Sequence, residues 1–290
     1  MMAEPSTLLW QALLDRLGRP HGRAYDTESR AGGASLVRRS DGRLELSDGW
    51  SEQDRTAFQL FAPLLDRDRL ALAQLGQSLD GRIATASGDS YYINDRAMRA
   101  HLHRLRALVD AVVVGAGTAV ADQPALTVRH CPGTSPVPVI IDPSARVPIT
   151  GPLFDPEQTP RLILMHCGRS ARSDWPGHVE SVRLSPEHGG SGSGLAPSTI
   201  LNALAERGLR RVLIEGGGVT VSRFIDDQAL DRVHLLIAPL LIGSGLNGLN
   251  LRPIERLSET PRRTMHSYAL GDEFVVDVEL RPPDDAPSRS

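Results

Sequence analysis

The spacing of apolar and polar positions divides the chain near residue 66. Before that point, Leu8 to Leu17 reads as a short amphipathic helix ended by Gly18. Ala34 to Leu46 contains two short strands around Asp41-Gly42, a dipeptide that suits a hairpin turn. A helix over 51–65 follows, with the Ser51 hydroxyl placed to accept the first free N–H groups. Gly18 to Gly33 is polar and glycine-rich, so residues 1–66 read as a small appended segment that packs on a main domain.

From Arg69 onward strands and helices alternate. Leu70 to Leu75 is a strand, and Asp95 to Val109 a helix with Met98, Leu102, Leu105 and Val109 on one face. Asn94 or Asp95 can cap that helix. Ala111 to Val114 is wholly apolar and ends in Gly115, the pattern of a strand buried on both faces. Further strands are expected over 137–141, 161–166 and 179–184. Ser185 to Pro197 reads as an exposed loop, and Ser198 as the cap of a helix closed by Gly208. A buried strand over 211–214, a helix over 219–227 and a strand over 233–238 come next. Two more β segments, 265–269 and 274–280, precede a polar tail from Pro282 that is expected to be disordered. The pattern predicts one α/β domain over 67–281, a mixed and mostly parallel sheet with helices on both faces.

Composition narrows the function. A formal net charge of −3 gives no broad attraction to nucleic acid or an anionic membrane, so an anionic ligand must be held by local cations. No apolar run approaches the roughly 18 residues of a membrane span, and residues 8–14 lack the flanks of a signal peptide, so a cytoplasmic location is expected. Cys131 and Cys167 read as reduced structural thiols. No H-x-E followed by P-C-x-x-C occurs, which excludes a zinc deaminase site, and no metal is expected.

Two glycine clusters follow buried strands. Ile214-Glu215-Gly216-Gly217-Gly218 runs from a strand into a helix, where bare backbone and a helix N-terminus suit a diphosphate; a plain tight turn is the other reading. It lacks the G-x-G-x-x-G spacing of an ordinary dinucleotide fold. Gly115-Ala116-Gly117-Thr118 forms a second such turn, with Thr118 able to donate to a phosphate or to cap the next turn of chain. Both turns are expected at the carboxyl edge of one sheet, where open α/β sheets bind ligands. Ser90, Arg106, Asp122 and Arg129 are isolated polar residues in apolar contexts. Each has a structural reading, as a cap, a turn or a strand end. The arginines also suit bidentate phosphate binding.

Taken together, several stretches resemble one family: Ser78-Leu79-Asp80-Gly81-Arg82-Ile83-Ala84, Leu105-Arg106-Ala107, Asp110 to Gly115, and Ala121-Asp122-Gln123-Pro124-Ala125-Leu126-Thr127-Val128-Arg129. Leu213 to Gly218 and Ala238-Pro239-Leu240-Leu241-Ile242-Gly243-Ser244-Gly245 continue the likeness in order. The family is the reductase domain of bacterial riboflavin biosynthesis, 5-amino-6-(5-phosphoribosylamino)uracil reductase. The resemblance implies a dihydrofolate-reductase-like fold, a homodimer, NADPH as hydride donor and a phosphoribosylated pyrimidine as substrate. By position it places Ser90, Arg106, Leu126, Arg129 and Glu215 on the substrate side. Arg106 and Arg129 would hold the ribose 5-phosphate, while Glu215 would sit near the ribose hydroxyls and is the one carboxylate indicated for proton handling. On the cofactor side it places Gly76, Tyr92, Thr118, Asp122 and the run Gly217, Gly218, Val219, Thr220, Val221, Ser222 and Arg223, with Ser144 toward the adenosine 2′-phosphate.

Three features depart from the bacterial pattern. Gln74 stands where a lysine is common, Tyr92 where a tryptophan is common, and residues 1–66 carry no zinc ligands of a deaminase. Arg106, Arg129 and Glu215 favour the riboflavin-pathway reductase as a stand-alone member of the family. Gln74 favours a related NADPH reductase of another pteridine, pyrimidine or folate-like substrate. A nucleotide-binding protein without turnover is the reading from a different class.

Overall fold

Residues along the strand Leu70–Ser78 alternate between two cores, and that alternation sets the architecture. Leu70 and Leu72 join the cluster on one face; Ala71, Ala73 and Leu75 join the other. The computed structural model describes residues 4–17, 35–38, 44–90, 93–167, 174–186 and 194–281. In chain order the elements are α1 (Thr7–Leu17), β1 (Leu36–Arg38), β2 (Leu44–Leu46), α2 (Glu52–Leu65), β3 (Leu70–Ser78), β4 (Arg82–Thr85), α3 (Arg96–Ala107), β5 (Ala111–Gly115), α4 (Ala116–Asp122) and β6 (Val137–Ile141). There follow β7 (Leu162–His166), β8 (Val179–Arg183), α5 (Pro197–Ala205), β9 (Arg211–Ile214), α6 (Gly218–Asp226), β10 (Arg232–Ala238), β11 (Gly245–Asn247), β12 (Met265–Leu270) and β13 (Glu273–Glu279).

The central sheet runs β12-β13-β10-β3-β9-β5-β6-β7-β8. The seven strands from β10 to β8 pair in parallel, and β13 and β12 add antiparallel pairings at one edge. Side chains of α1 to α4 bury against one face, and those of α5 and α6 against the other. The expected mixed, mostly parallel three-layer arrangement is therefore present.

The described part of residues 1–66 joins the first core. Trp10 packs edge-on against Phe61, whose ring lies tilted beside His101 of α3. Trp10 Nε1 donates to the Pro132 carbonyl at 2.8 Å. Arg211 of β9 ties three segments together, donating at 2.8 Å each to the carbonyls of Leu108, Arg67 and Leu64. Those carbonyls lie at or just beyond the ends of α2 and α3, where intrahelical partners run out.

Ser51 caps α2 as expected, accepting from the Asp54 N–H at 3.0 Å. Asp95, not Asn94, caps α3. One expectation is corrected: α5 begins with Pro197 at its first turn and Ala196 as N-cap, so Ser198 lies inside the helix. Proline fits there because its missing N–H would have no helical partner. The β1–β2 pair is antiparallel with Leu36 opposite Leu46. The Asp41-Gly42 turn, the middle of the 185–197 loop and the tail 282–290 fall outside the described residues.

Candidate active site

Strands β3, β9, β5 and β6 lie side by side and parallel, so their carboxyl ends open on one edge. A pocket of about 890 Å³ lies along that edge. Gly76 of β3, Glu215 after β9, Gly115 of β5 and Ile141 of β6 all line it. Glycine-rich continuations after β9 and β5 keep the backbone close to the pocket.

In its wall Arg106 from α3 meets Glu215 in a two-bond fork: Nε donates to Oε1 at 2.8 Å and Nη2 to Oε2 at 2.7 Å. Nη1 donates to the Thr127 carbonyl at 3.0 Å, tying the loop that carries Leu126 and Arg129 to the same guanidinium. Both partners are buried, Arg106 at 6% exposure and Glu215 at 5%. Burial by itself would lower the arginine's affinity for its proton, but the charge and hydrogen bonds of Glu215 outweigh it and raise the pKa. Three of five guanidinium N–H groups are used, leaving two without a partner among the described residues.

The two glycine turns lock together. The Gly217 N–H donates to Thr118 Oγ1 at 3.0 Å, and Gly216 adopts φ +97° beside the same threonine, a conformation that favours glycine. A Cβ on Gly218 would overlap the Gly248 carbonyl oxygen. No side chain caps α6. The stretch Gly115-Ala116-Gly117-Thr118 is not a free turn: α4 starts directly at Ala116, with Gly115 as N-cap. Gly117 lines the pocket, and a Cβ there would meet open space.

The stretches 78–84 and 238–245 meet in a contact that strand periodicity did not reveal. β4 and β11 pair antiparallel although about 160 positions separate them. Asp80 fastens this pairing, accepting from Ser78 Oγ and from the N–H groups of Ile242 and Gly243. The Ser78 bond first, then the two backbone bonds, hold its carboxyl down to about 2.

Of the expected residues, Ser90, Arg106, Leu126, Glu215, Gly76, Thr118, Asp122, Gly217, Val219, Thr220 and Arg223 all line the pocket. Leu126 is buried with φ +52°, a strained state for a leucine and the kind of outlier that gathers at functional sites. Burial raises the Asp122 carboxyl. Gly218, Val221 and Ser222 stand behind the wall; Val221 packs into the core and Ser222 Oγ accepts from the Asn250 N–H at 2.8 Å. Arg129 is exposed outside the wall, its N–H donating to His103 Nδ1 at 2.8 Å and its guanidinium to Thr127 Oγ1 at 2.9 Å. Ser144 is also exposed outside the wall. Tyr92 lies outside the described residues.

Sequence reasoning missed three polar lining residues. Arg99 shares the pocket face of α3 with Leu102 and Arg106, at spacings of three and seven; helical periodicity predicts this once Arg106 is placed. Asn94 donates to Glu273 Oε2 at 3.0 Å while its Oδ1 fills the space a Gly76 side chain would need. Arg146 belongs to the turn after β6, and only the sheet order brings it to the pocket.

A family model described as the RibD C-terminal domain matches residues 70–276. The riboflavin biosynthesis protein RibD of Aquifex aeolicus is 30% identical over 203 residues, 69% of this chain and 54% of that protein. The chain therefore spans about half the length of that relative. A 2,5-diamino-6-ribosylamino-4(3H)-pyrimidinone 5′-phosphate reductase of Methanothermobacter thermautotrophicus is 30% identical over 212 residues, 70% of this chain and 94% of that protein. The crystal structure of a deaminase/5-amino-6-(5-phosphoribosylamino)uracil reductase from Thermotoga maritima superposes with a TM-score of 0.61 at 29% identity, covering 78% of this chain and 62% of that one. With its match over 70–276 and its pocket at the edge of the matched sheet, the chain belongs to the RibD C-terminal domain family.

Proposed function

We propose that the chain is an NADPH-dependent reductase that converts the ribosyl group of a phosphoribosylaminopyrimidine to a ribityl group in riboflavin biosynthesis. The observation that carries this reading is one pocket lined by the buried Arg106–Glu215 fork, by Ser90 and Leu126, and by the start of α6, which no side chain caps. At about 890 Å³ the pocket lies near the upper end of small-molecule sites, as suits a dinucleotide beside a second ligand. The names of the archaeal and Thermotoga relatives support the same reaction.

The chain's residues fit the cofactor. Gly117 leaves the wall bare at a position any side chain would fill, and the leading N–H groups of α6 have no side-chain partner. A helix N-terminus in that state suits a diphosphate. NADPH, when bound, supplies the hydride that reduces C1′ of the ring-opened phosphoribosylamine, the proton for nitrogen coming from solvent. The protein's contribution is position. Glu215, expected to handle protons, has both oxygens engaged by Arg106. Its role in this reading is to accept ribose hydroxyls through its remaining lone pairs. Arg106 offers its two remaining N–H groups, and Arg99 and Arg129 add positive charge toward the substrate phosphate. Residues 67–281 act as the reductase unit.

The reading includes a homodimer. Leu241, Leu257 and Met265 are exposed along the segment that leads into edge strand β12, and Phe274 on neighbouring β13, with Leu257 at 86% and Leu241 at 78%. An apolar surface beside an open sheet edge suits a second copy of the chain.

NADPH absorbance followed with 5-amino-6-(5-phosphoribosylamino)uracil tests the function. Oxidation with that compound is expected. Oxidation only with another pteridine or pyrimidine favours the related reductase, and tight NADPH binding without any turnover favours a nucleotide-binding protein.

A further inference from the structure

The family match begins at residue 70, yet residues before it brace the pocket wall from behind. Helix α3 carries the first brace. Arg99, Leu102 and Arg106 line the pocket, and at 3.6 residues per turn His101 and Arg104 fall on the opposite face of the same helix. There the buried Arg104 donates to Glu4 at 2.8 Å, and the ring of Phe61 on α2 lies 5.4 Å from that of His101. Glu4 and Phe61 both belong to the appended segment.

The loop after α4 carries the second. Its Leu126 lines the pocket and its Thr127 carbonyl accepts from Arg106. Further along, the loop turns back on itself, the Val128 N–H donating to Ser135 Oγ at 3.0 Å. Trp10 of α1 donates from Nε1 to the Pro132 carbonyl inside that turn. Gly133 beside it is pressed between α3 and α1, since a Cβ there would stand 2.5 Å from Ala107 Cβ and 3.8 Å from Leu14 Cδ2. The braces have a fixed base. The Ser6 N–H donates to Asp54 of α2 at 2.7 Å, and Gln53 Nε2 to the Glu4 carbonyl at 2.8 Å. Arg211 fastens α2 to the start of β9, the strand whose far end leads into Glu215.

We propose that the appended segment is a positioning element for the substrate. Trp10, through the Pro132 carbonyl, and Glu4, through Arg104, hold the 126–132 loop and α3 so that Leu126 and Arg106 stand ready before substrate binds. A loop fixed in advance gives up less conformational freedom on binding, and the saving appears as a lower KM. The inference rests on the reductase reading and goes beyond it, because Glu4 and Trp10 lie outside the matched domain.

Two tryptophans make the test, on the full chain and well below its melting temperature. Trp10→Phe keeps a ring against Phe61 and removes the N–H donor. Trp50→Phe is the matched control, for Trp50 Nε1 donates to the Ser35 carbonyl at 3.0 Å, a bond that stays inside the appended segment. Trp10→Phe should raise the KM for 5-amino-6-(5-phosphoribosylamino)uracil roughly 2- to 12-fold, the fold-change of one net hydrogen bond, with NADPH affinity within about twofold of native. Glu4→Ala should raise the same KM, and Glu4→Gln should restore it, because an amide oxygen still accepts from Arg104. Trp50→Phe should keep the native KM even where it lowers the melting temperature. Hydrogen exchange gives a readout free of turnover: the Val128 and Arg129 amides should exchange faster in Trp10→Phe and at the native rate in Trp50→Phe. A native KM in Trp10→Phe, equal KM shifts in the two tryptophan variants, a parallel loss of NADPH affinity, or unchanged exchange at 128–129 each overturns the inference. A native chain that oxidises no NADPH with this compound overturns the reductase reading instead, and exchange at 128–129 then decides by itself whether Trp10 fixes the loop.

Discussion

Arg106 on α3 and Glu215 at the end of β9 form a fork of two parallel hydrogen bonds, 2.8 and 2.7 Å long, joining a helix to the carboxyl edge of the sheet across 109 positions of sequence. Removing one partner leaves the other as a buried, unpaired charge. Arg106→Ala and Glu215→Ala should therefore each lose about 3–5 kcal/mol of unfolding free energy, read from urea midpoints. The double variant Arg106→Met/Glu215→Leu should lose much less than the sum of the two. Strict additivity would show that the two side chains do not stabilise one another.

Gly218 and Gly117 make a matched pair of tests. A methyl group on Gly218 collides with the rigid Gly248 carbonyl, whereas one on Gly117 meets open space in helix α4. Gly218→Ala should lower the melting temperature and NADPH affinity together. Gly117→Ala should leave the melting temperature unchanged or raise it by the equivalent of about 0.5–1 kcal/mol, because alanine is the better helix residue. Any affinity lost in Gly117→Ala then reports crowding of the bound ligand rather than unfolding. Equal melting temperatures for the two variants would falsify the close packing of α6 on the 247–248 backbone.

Histidines set the pH dependence. Burial, then the charge of Arg106, then His130, lower His103 to about 3, and burial followed by His234 and Arg104 lowers His101 well below its ordinary value. Both are neutral in the fold, while the unfolded chain takes up protons below about 6.5. Their contribution to stability is thus complete above that value and is lost as pH falls through 6.5 toward the folded values. Each contributes a slope of up to about 1.4 kcal/mol per pH unit in that window. Thermal unfolding should show a falling melting temperature from pH 7 to pH 5, with a shallower fall in His103→Asn. An unchanged slope in that variant would remove His103 from the account.

Arg129 separates the two ligands. It bonds Thr127 and His103, and the proposed reading assigns it to the substrate phosphate. Arg129→Ala should raise the KM for the phosphoribosyl substrate at least tenfold and leave NADPH affinity within about twofold of native. A parallel loss of NADPH affinity would place this arginine on the cofactor side instead.

Local pattern determined much of the architecture. The strands 137–141 and 211–214 agree residue for residue with the apolar runs that predicted them, and Ser51 and Asp95 cap the helices they precede, because burial periodicity and capping are short-range effects. The glycine run 216–218 likewise marked a close backbone approach in advance. Only tertiary structure decided which charges meet. Arg106 and Glu215 were each assigned to the ligand, yet they bind one another, a relation fixed by how α3 lies across β9. The β4–β11 pairing and the arrival of Arg146 at the pocket depend on strand order across the sheet. Such contacts arise from packing between segments distant in sequence, and no local periodicity encodes them.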